Sequence, residues 1–235
     1  SSLSWRFPSG VIATAGLSFL RGENVTLKRA KIASSDGFRF EGGVDYDFAE
    51  KKIAATGALS VDEKSLGALL PALRARGKLA AEFDAGGPLD DLSLRMTGTT
   101  PALALNAGTL PPARAAISLS GLPSSASGVV SIRAIDGSRR AVANVSRGDG
   151  LWRIRSLEYR GSGFAMRGGF EFNPGTGEGG VDLIYEGGDE AEPWPGVFIE
   201  GAAKASGALN RSGKVSRLSL DIAALRMGDF SLEGV

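Results

Sequence analysis

Acidic side chains stand close together at three places in the chain, and such groups are where acid–base or cation chemistry would be sought. The groups are Asp45 with Asp47, Asp90 with Asp91, and Asp189 with Glu190 and Glu192 next to Trp194. Two carboxylates act together in catalysis only when they converge across an enclosed cleft. Residues two apart on a strand share one face, and the third group lacks the spacing of a calcium loop. We therefore interpret all three groups as solvated surface acids.

The chain contains no histidine and no cysteine among its 235 residues. Their absence removes the usual general base, the imidazole and thiolate metal ligands, the thiolate nucleophile and all disulfide bonds. A formal net charge of +1 favours neither nucleic acid nor an acidic substrate. From the composition we predict no enzyme, no metal site, no cofactor and no nucleic-acid partner.

Two short motifs resemble known signals, and both are better explained as connections between strands. The sequence "RGD" at Arg147–Asp149 has a counterpart, "RGE", at Arg21–Glu23, as expected for a turn that occurs twice. The sequence "GALNRSGK", which begins at Gly207, has the wrong glycine spacing for a phosphate loop, and Val215 follows its lysine. Neither motif predicts a binding site.

Apolar residues alternate with polar or small residues along nearly the whole chain. Successive side chains of a strand point to opposite faces, so each run has one apolar face. Turn signals such as Asp136-Gly137 separate the runs at hairpin spacing. We predict an all-β antiparallel meander. Its apolar face is expected to contain Phe38, Phe40, Val44, Tyr46, Leu92, Leu94, Met96, Leu103, Leu105, Ile117, Leu119, Phe164, Met166, Phe170, Phe172, Val181, Leu183, Leu218, Leu220 and Ile222.

Two segments interrupt the alternation. Asp62–Arg76 places leucines at helical spacing on one face, but Pro71 lies inside it, so we predict a short or broken helix that packs on the sheet. Glu192–Phe198 holds Trp194 between two prolines and forms a rigid apolar insertion. This insertion is expected either to plug or line the concave side of the sheet or to cap it.

The chain repeats itself at an offset of 126 residues. "GPLDDLSLRM" at Gly87–Met96 returns as "GKVSRLSLDI" at Gly213–Ile222, and "GFRFEGGVDY" at Gly37–Tyr46 returns as "GFAMRGGFEF" at Gly163–Phe172. A repeat that keeps its strand phase is typical of a linear array. We predict two repeat units, residues 1–126 and 127–235, in one continuous sheet.

A sheet with one apolar face must bury that face, and helices are too few to cover it. The sheet is therefore expected to fold on itself as a sandwich, a closed barrel or a U-shaped trough. The 34 glycines favour strong coiling and bends. A trough would leave a long apolar concavity suited to acyl chains, whereas a sandwich or barrel would fill it with a dry core.

Three features of the sequence resemble the TamB/AsmA-like proteins of Gram-negative bacteria. These features are the cadence G-x-L-x-x-L-S-L-x-M, the repeated GF-x-x-x-GG, and the Leu-Pro segment followed by "RGKLAAEF" at Arg76–Phe83. The resemblance implies an elongated antiparallel sheet curled into a U-shaped groove, called a β-taco, made of two repeats of about 126 residues with a short helical interruption in each. The alternating apolar residues given above would line this groove.

The resemblance also implies a function in lipid transport. Such proteins are anchored in the inner membrane, span the periplasm, and are implicated in moving phospholipid between the inner and outer membranes and in outer-membrane biogenesis. The expected partners are phospholipid acyl chains and, for the whole protein, an Omp85-type outer-membrane barrel. The chain begins at Ser1 and stops inside an alternating pattern, so we expect any anchor to lie outside this segment.

A structural role is the alternative. The chain would then be a segment of a secreted β-solenoid or β-sandwich adhesin whose apolar faces form a closed, dry core. Rungs of β-helices repeat every ~20–30 residues or less, and no such period is found here. An open trough cut from a longer one would instead leave unpaired strand edges at both ends, which predicts edge-to-edge dimers or aggregates.

Overall fold

The computed structural model describes residues 2–6, 12–20, 24–34, 37–63, 76–105, 108–173, 175–188, 191–193, 197–210, 215–227 and 230–233. These residues are all-β and antiparallel, which confirms the predicted fold class at this level. Residues 64–75 of the predicted helix Asp62–Arg76 lie outside the described part, and so do residues 194–196 of the Trp-Pro insertion. Those two predictions therefore stay predictions.

The strands form a large antiparallel sheet, in which they lie side by side in chain order. The first compact unit consists of Ser1–Asn106 and Leu110–Pro123. Its sheet strands are β1 (Ser2–Arg6), β2 (Ile12–Leu20), β3 (Asn24–Ala33), β4 (Phe38–Asp47), β5 (Lys52–Val61), β6 (Leu79–Pro88), β7 (Leu92–Thr100) and β10 (Ala113–Leu122). Two short strands, β8 (Leu103–Leu105) and β9 (Gly108–Leu110), lie outside this sheet.

The second compact unit consists of Ala107–Thr109 and Ser124–Val235. Its sheet strands are β11 (Ser127–Ala134), β12 (Arg139–Gly148), β13 (Leu151–Gly161), β14 (Phe164–Phe172), β15 (Gly179–Gly187), β16 (Val197–Leu209), β17 (Val215–Met227) and β18 (Phe230–Glu233). Among the described residues, β1 pairs only with β2 and β18 only with β17. The sheet is therefore open, and the barrel considered from the sequence is wrong.

The cross-strand register brings the alternating apolar residues of neighbouring strands together. In the first unit one row of paired residues crosses six strands and consists of Leu27, Val44, Ala55, Ala85, Leu94 and Leu119. Every member of this row is half-buried. The next residues along β7 and β10, Arg95 and Ser118, pair with each other and are exposed. Directly opposed side chains lie close enough to pack, so the register builds one apolar and one polar face.

Each unit also contains a line of irregularities near the middle of its strands. In the first unit the register shifts of β2–β3 and β3–β4 meet at Lys28–Ala30, where Arg29 has a φ of 53°. In the second unit the shifts of β12–β13 and β13–β14 meet at Arg155–Leu157, where Ser156 also has a φ of 53°. A β-bulge bends its strand and increases the local twist. Each unit therefore carries a mid-strand bend on adjacent strands.

Glycines lie in β4 and β5 beside the bulge of the first unit. Gly42 and Gly57 oppose each other across these strands. The ring of Phe40 lies 3.0 Å from where a Gly42 Cβ would stand, and the ring of Phe83 lies equally near the corresponding position of Gly57. The two rings stack with centroids 5.7 Å apart. The missing side chains thus leave the space that the two rings occupy on the apolar face.

Replacing Gly42 by alanine tests whether this close strand approach stabilises the sheet. A Cβ at Gly42 would overlap the Thr56 carbonyl oxygen of the neighbouring backbone. We expect Gly42→Ala to lower the free energy of unfolding in urea by about 1–3 kcal/mol, because backbone must move to accommodate it.

The adjacent residue provides a matched control. A Cβ at Gly43 would have the Leu27 carbonyl oxygen 3.4 Å away as its nearest neighbour, so Gly43→Ala should be neutral or stabilising by up to ~1 kcal/mol. Equal urea midpoints for the two variants would contradict this account.

Candidate functional site

The candidate site is the apolar face of the sheet, taken separately in each unit. In the first unit this face consists of Leu27, Ile32, Phe38, Phe40, Val44, Tyr46, Ile53, Leu59, Phe83, Leu92, Leu94, Met96, Ile117 and Leu119. All of these side chains are half-buried. The opposite face carries exposed charges, as in the 2.9 Å ion pair between Lys31 and Glu41. The two faces thus differ sharply in polarity.

The second unit repeats this arrangement. Its apolar face consists of Trp152, Ile154, Leu157, Tyr159, Phe164, Met166, Phe170, Phe172, Val181, Leu183, Tyr185, Leu220 and Ile222. The rings of Phe170 and Phe172 stack with centroids 6.3 Å apart. The opposite face again carries exposed charges, for example Arg167 and Glu186, whose side chains pair at 3.3 Å.

The structure places most of the predicted lining residues on these faces. Of the twenty, fifteen are half-buried, Phe164 and Ile222 are buried, and Leu220 is 42% exposed. The side chains of Leu105 and Leu218 lie outside the described part. Leu103 belongs to β8 rather than to the sheet, and it packs against Val61. The sequence pattern did not identify Ile53, Leu59, Phe83, Ile154 and Tyr159. In their strands alanine, glycine or charged residues stand near these side chains, so the alternation of large apolar with polar residues was less clear.

The apolar side chains are packed less completely than in a dry core. In the described part, only eight hydrophobic residues are buried, and four of them are alanines: Val61, Ala126, Ala134, Ala143, Phe164, Tyr185, Ala191 and Ile222. Large apolar side chains in a closed core are usually fully buried. Most of the described part of this face is therefore only partly shielded from solvent.

One end of the apolar face in the second unit is covered by the chain itself. Phe164, Tyr185 and Ala191 form a buried cluster, against which Tyr159, Met166 and Ile199 pack. Ala191 is 3% exposed and Pro193 is also buried. These two residues follow β15, and we name Ala191–Pro193 the cover segment.

Side chains from two other strands hold the cover segment in place. Arg139 of β12 donates a hydrogen bond to the Glu192 carbonyl oxygen at 3.1 Å, and its guanidinium lies 3.7 Å from the Glu192 carboxylate. The Tyr159 hydroxyl donates to the Pro193 carbonyl oxygen at 2.9 Å. The Arg139 hydrogen bond is charge-assisted, and such bonds are stronger than neutral ones. The cover segment therefore crosses from its own strands toward β13 and β12 and is fixed there.

The acidic groups found in the sequence have structural roles where they are described. The Asp45 carboxylate accepts a hydrogen bond from Thr26, and Asp47 accepts the backbone N–H groups of Ala49 and Glu50 in a turn. Asp189 and Glu190 lie outside the described part. Within that part, no cluster of three or more potential metal-ligating residues is found.

No family model, no curated protein and no solved structure matches this chain. Among the described residues, no helix has the length and apolarity needed to cross a bilayer. The fold and the apolar face therefore rest on the chain's own sequence and geometry.

Alkaline titration tests the packing of the buried cluster. Burial raises the pKa of Tyr185 above its ordinary value of 10.0, and its hydroxyl donates to the Ile199 carbonyl oxygen at 3.1 Å. We therefore expect a delayed tyrosine ionisation when absorbance near 295 nm is followed during alkaline titration. Because only the unfolded state then loses this proton readily, stability should fall as the pH rises above 10.

The variant Tyr185→Phe should remove the late transition, and Tyr46→Phe should leave it in place. A late transition that survives Tyr185→Phe would show that the assignment is wrong.

Proposed function

We propose that this chain is a segment of a periplasmic, hydrophobic-groove protein that carries phospholipid between the inner and outer membranes. The observation that carries this proposal is the pair of apolar faces, whose large side chains are aligned across strands and are only half-buried. Each methylene that an acyl chain buries there contributes about 0.8 kcal/mol. A whole acyl chain is thereby held without a specific pocket.

The chemistry of the lining suits movement as well as binding. In the first unit the row from Leu27 to Leu119 consists only of leucine, valine and alanine, which offer no side-chain hydrogen bond. A lipid moving along such rows meets no group that would hold its tail at one position. Transfer then requires no catalytic residue, and we propose that the protein is not an enzyme.

Two structural features support a curled, repeated groove. The mid-strand bends at Lys28–Ala30 and Arg155–Leu157 lie 127 residues apart and occupy the same place in the order of strands. Bends repeated on adjacent strands curve a sheet toward one face. Together with the sequence repeat, they support two repeat units of about 126 residues, each with its own curved apolar face. The resemblance to TamB/AsmA-like proteins supports the periplasmic location, an inner-membrane anchor elsewhere in the protein and an Omp85-type partner.

Lipid bound to the purified protein tests the proposal. The protein would be produced in a Gram-negative host, and native mass spectrometry would be combined with lipid extraction of the same sample. We expect phospholipid to co-purify, and Leu220→Glu to reduce it by about tenfold, because a charge would then face the acyl chain. Leu220 is 42% exposed, so this variant should fold.

The chain offers matched controls on the polar face. Ser219→Glu introduces the same charge beside Leu220, and Ser118→Glu does so beside Leu119, at positions that are exposed. Both variants should co-purify with as much phospholipid as the wild-type protein, whereas the Leu119→Glu variant should co-purify without phospholipid. A lipid-free, monomeric wild-type protein that unfolds on Leu119→Glu would instead favour the closed core of a structural adhesin.

A further inference from the structure

We propose that the cover segment, Ala191–Pro193, is an end wall that stops acyl chains on the apolar face of the second unit. This inference rests on the proposed function, because it states where on the face a bound lipid lies. The wall confines the acyl chain to the rows of Leu157, Ile154 and Trp152, and the polar headgroup is directed to the strand ends near Trp152, opposite the wall.

The cover segment occupies positions that an acyl chain would otherwise fill. The row Tyr159, Met166, Tyr185, Ala203 and Ile222 crosses five strands in register. In this row Tyr185 and Ile222 are 3% and 6% exposed, whereas Leu220 in the next row is 42% exposed. Along β17 solvent access thus changes sharply between adjacent rows, whereas Tyr159 and Met166 of the first row are half-buried like Leu157 and Leu183 of the next. Ala191 packs with Phe164 and Tyr185 at the end of the face that the cover segment reaches.

Electrostatics fixes the wall in place. Arg139 belongs to the strand-end row that contains Gly161 and Phe164, and its side chain is only 18% exposed. A guanidinium in such a place needs partners, because burying an unpaired charge is costly. The Glu192 carbonyl and carboxylate oxygens provide them. Arg139 and the cover segment therefore depend on each other.

The first unit has a comparable cover at the corresponding end of its face. Phe38 and Leu59, which stand 126 residues before Phe164 and Tyr185, pack against the buried Val61. Leu103 from β8 packs there as well. Beside it the backbone N–H of Arg76 donates to the Ala104 carbonyl oxygen at 2.8 Å, and the N–H of Ala104 donates to the Arg76 carbonyl oxygen at 2.9 Å. Different inserted segments thus cover the same end of the two faces, as expected if that end must be closed to lipid.

Photocrosslinking tests this inference on the unmodified protein. A phosphatidylethanolamine with a diazirine midway along one acyl chain would be bound to the protein and irradiated, and the adducts would be located by mass spectrometry. We expect about tenfold more adducts at Ile154, Phe170 and Val181 than at Phe164 and Ala191, which corresponds to a preference of about 1.4 kcal/mol. Equal adducts at both groups of residues would overturn the wall but leave the proposed function standing.

Two variants test the anchors. Arg139→Gln combined with Tyr159→Phe removes the ion pair and the Pro193 hydrogen bond, and adducts should then spread to Met166 and Phe164. Adding Gly163→Cys and Ala191→Cys should restore the wild-type pattern when oxidised, because a Cβ at Gly163 would lie 3.8 Å from the Ala191 Cβ, within disulfide range.

The protein has no cysteine of its own, so this disulfide would be unique. Adducts that stay at Ile154, Phe170 and Val181 after loosening would overturn the wall. A wild-type protein without adducts anywhere would overturn both the wall and the proposed function.

Discussion

Cross-strand register is the constraint from which the other properties of this protein follow. The side-chain period of a strand is two, so a slip of one residue between β7 and β10 would move Leu94 and Leu119 to the polar face. Apart from β7 and β10, which β8 and β9 separate in the chain, neighbouring strands of the sheet are consecutive, and short turns such as the one between Gly148 and Leu151 help to set their register. It produces a sheet with one apolar face, and no second layer of secondary structure in the described part packs along the whole of that face.

The remaining features shape or cover parts of that apolar face. Bulges near Arg29 and Ser156 bend adjacent strands, and glycines such as Gly42 allow close strand approach where rings lie on the face. Inserted segments then cover one end of the face in each unit, around Val61 and around Phe164. The outcome is a surface with a covered end and an accessible remainder.

Sequence reasoning predicted the elements well wherever large apolar residues alternate with polar ones, as from Leu92 to Met96. It was weaker where small residues occupy the apolar positions. In β5 and β6 alanine and glycine alternate with Ile53, Leu59 or Phe83, and their cross-strand role becomes evident only from the register. The bulges left no sequence signal, because Lys28 and Arg29 are ordinary strand residues.

The cover segment shows a second limit of sequence reasoning. The sequence identified Glu192–Phe198 as an apolar insertion but left open whether it plugs, lines or caps the sheet. Arg139 was not recognised as its anchor, because an arginine 53 residues away in sequence has no local pattern that would indicate the contact. Long-range partners of this kind follow from the order of strands and not from composition.

The openness of the apolar face is best measured by cysteine labelling at two neighbouring positions. Leu183→Cys places a thiol on the apolar face and Asp182→Cys places one on the polar face of β15, in a protein without other cysteines. After delipidation, maleimide should modify both thiols in native buffer at rates within about tenfold. Added phospholipid should then protect only the thiol at Leu183. If that thiol reacts only in urea, the face is a closed core and the lipid-carrying account is wrong.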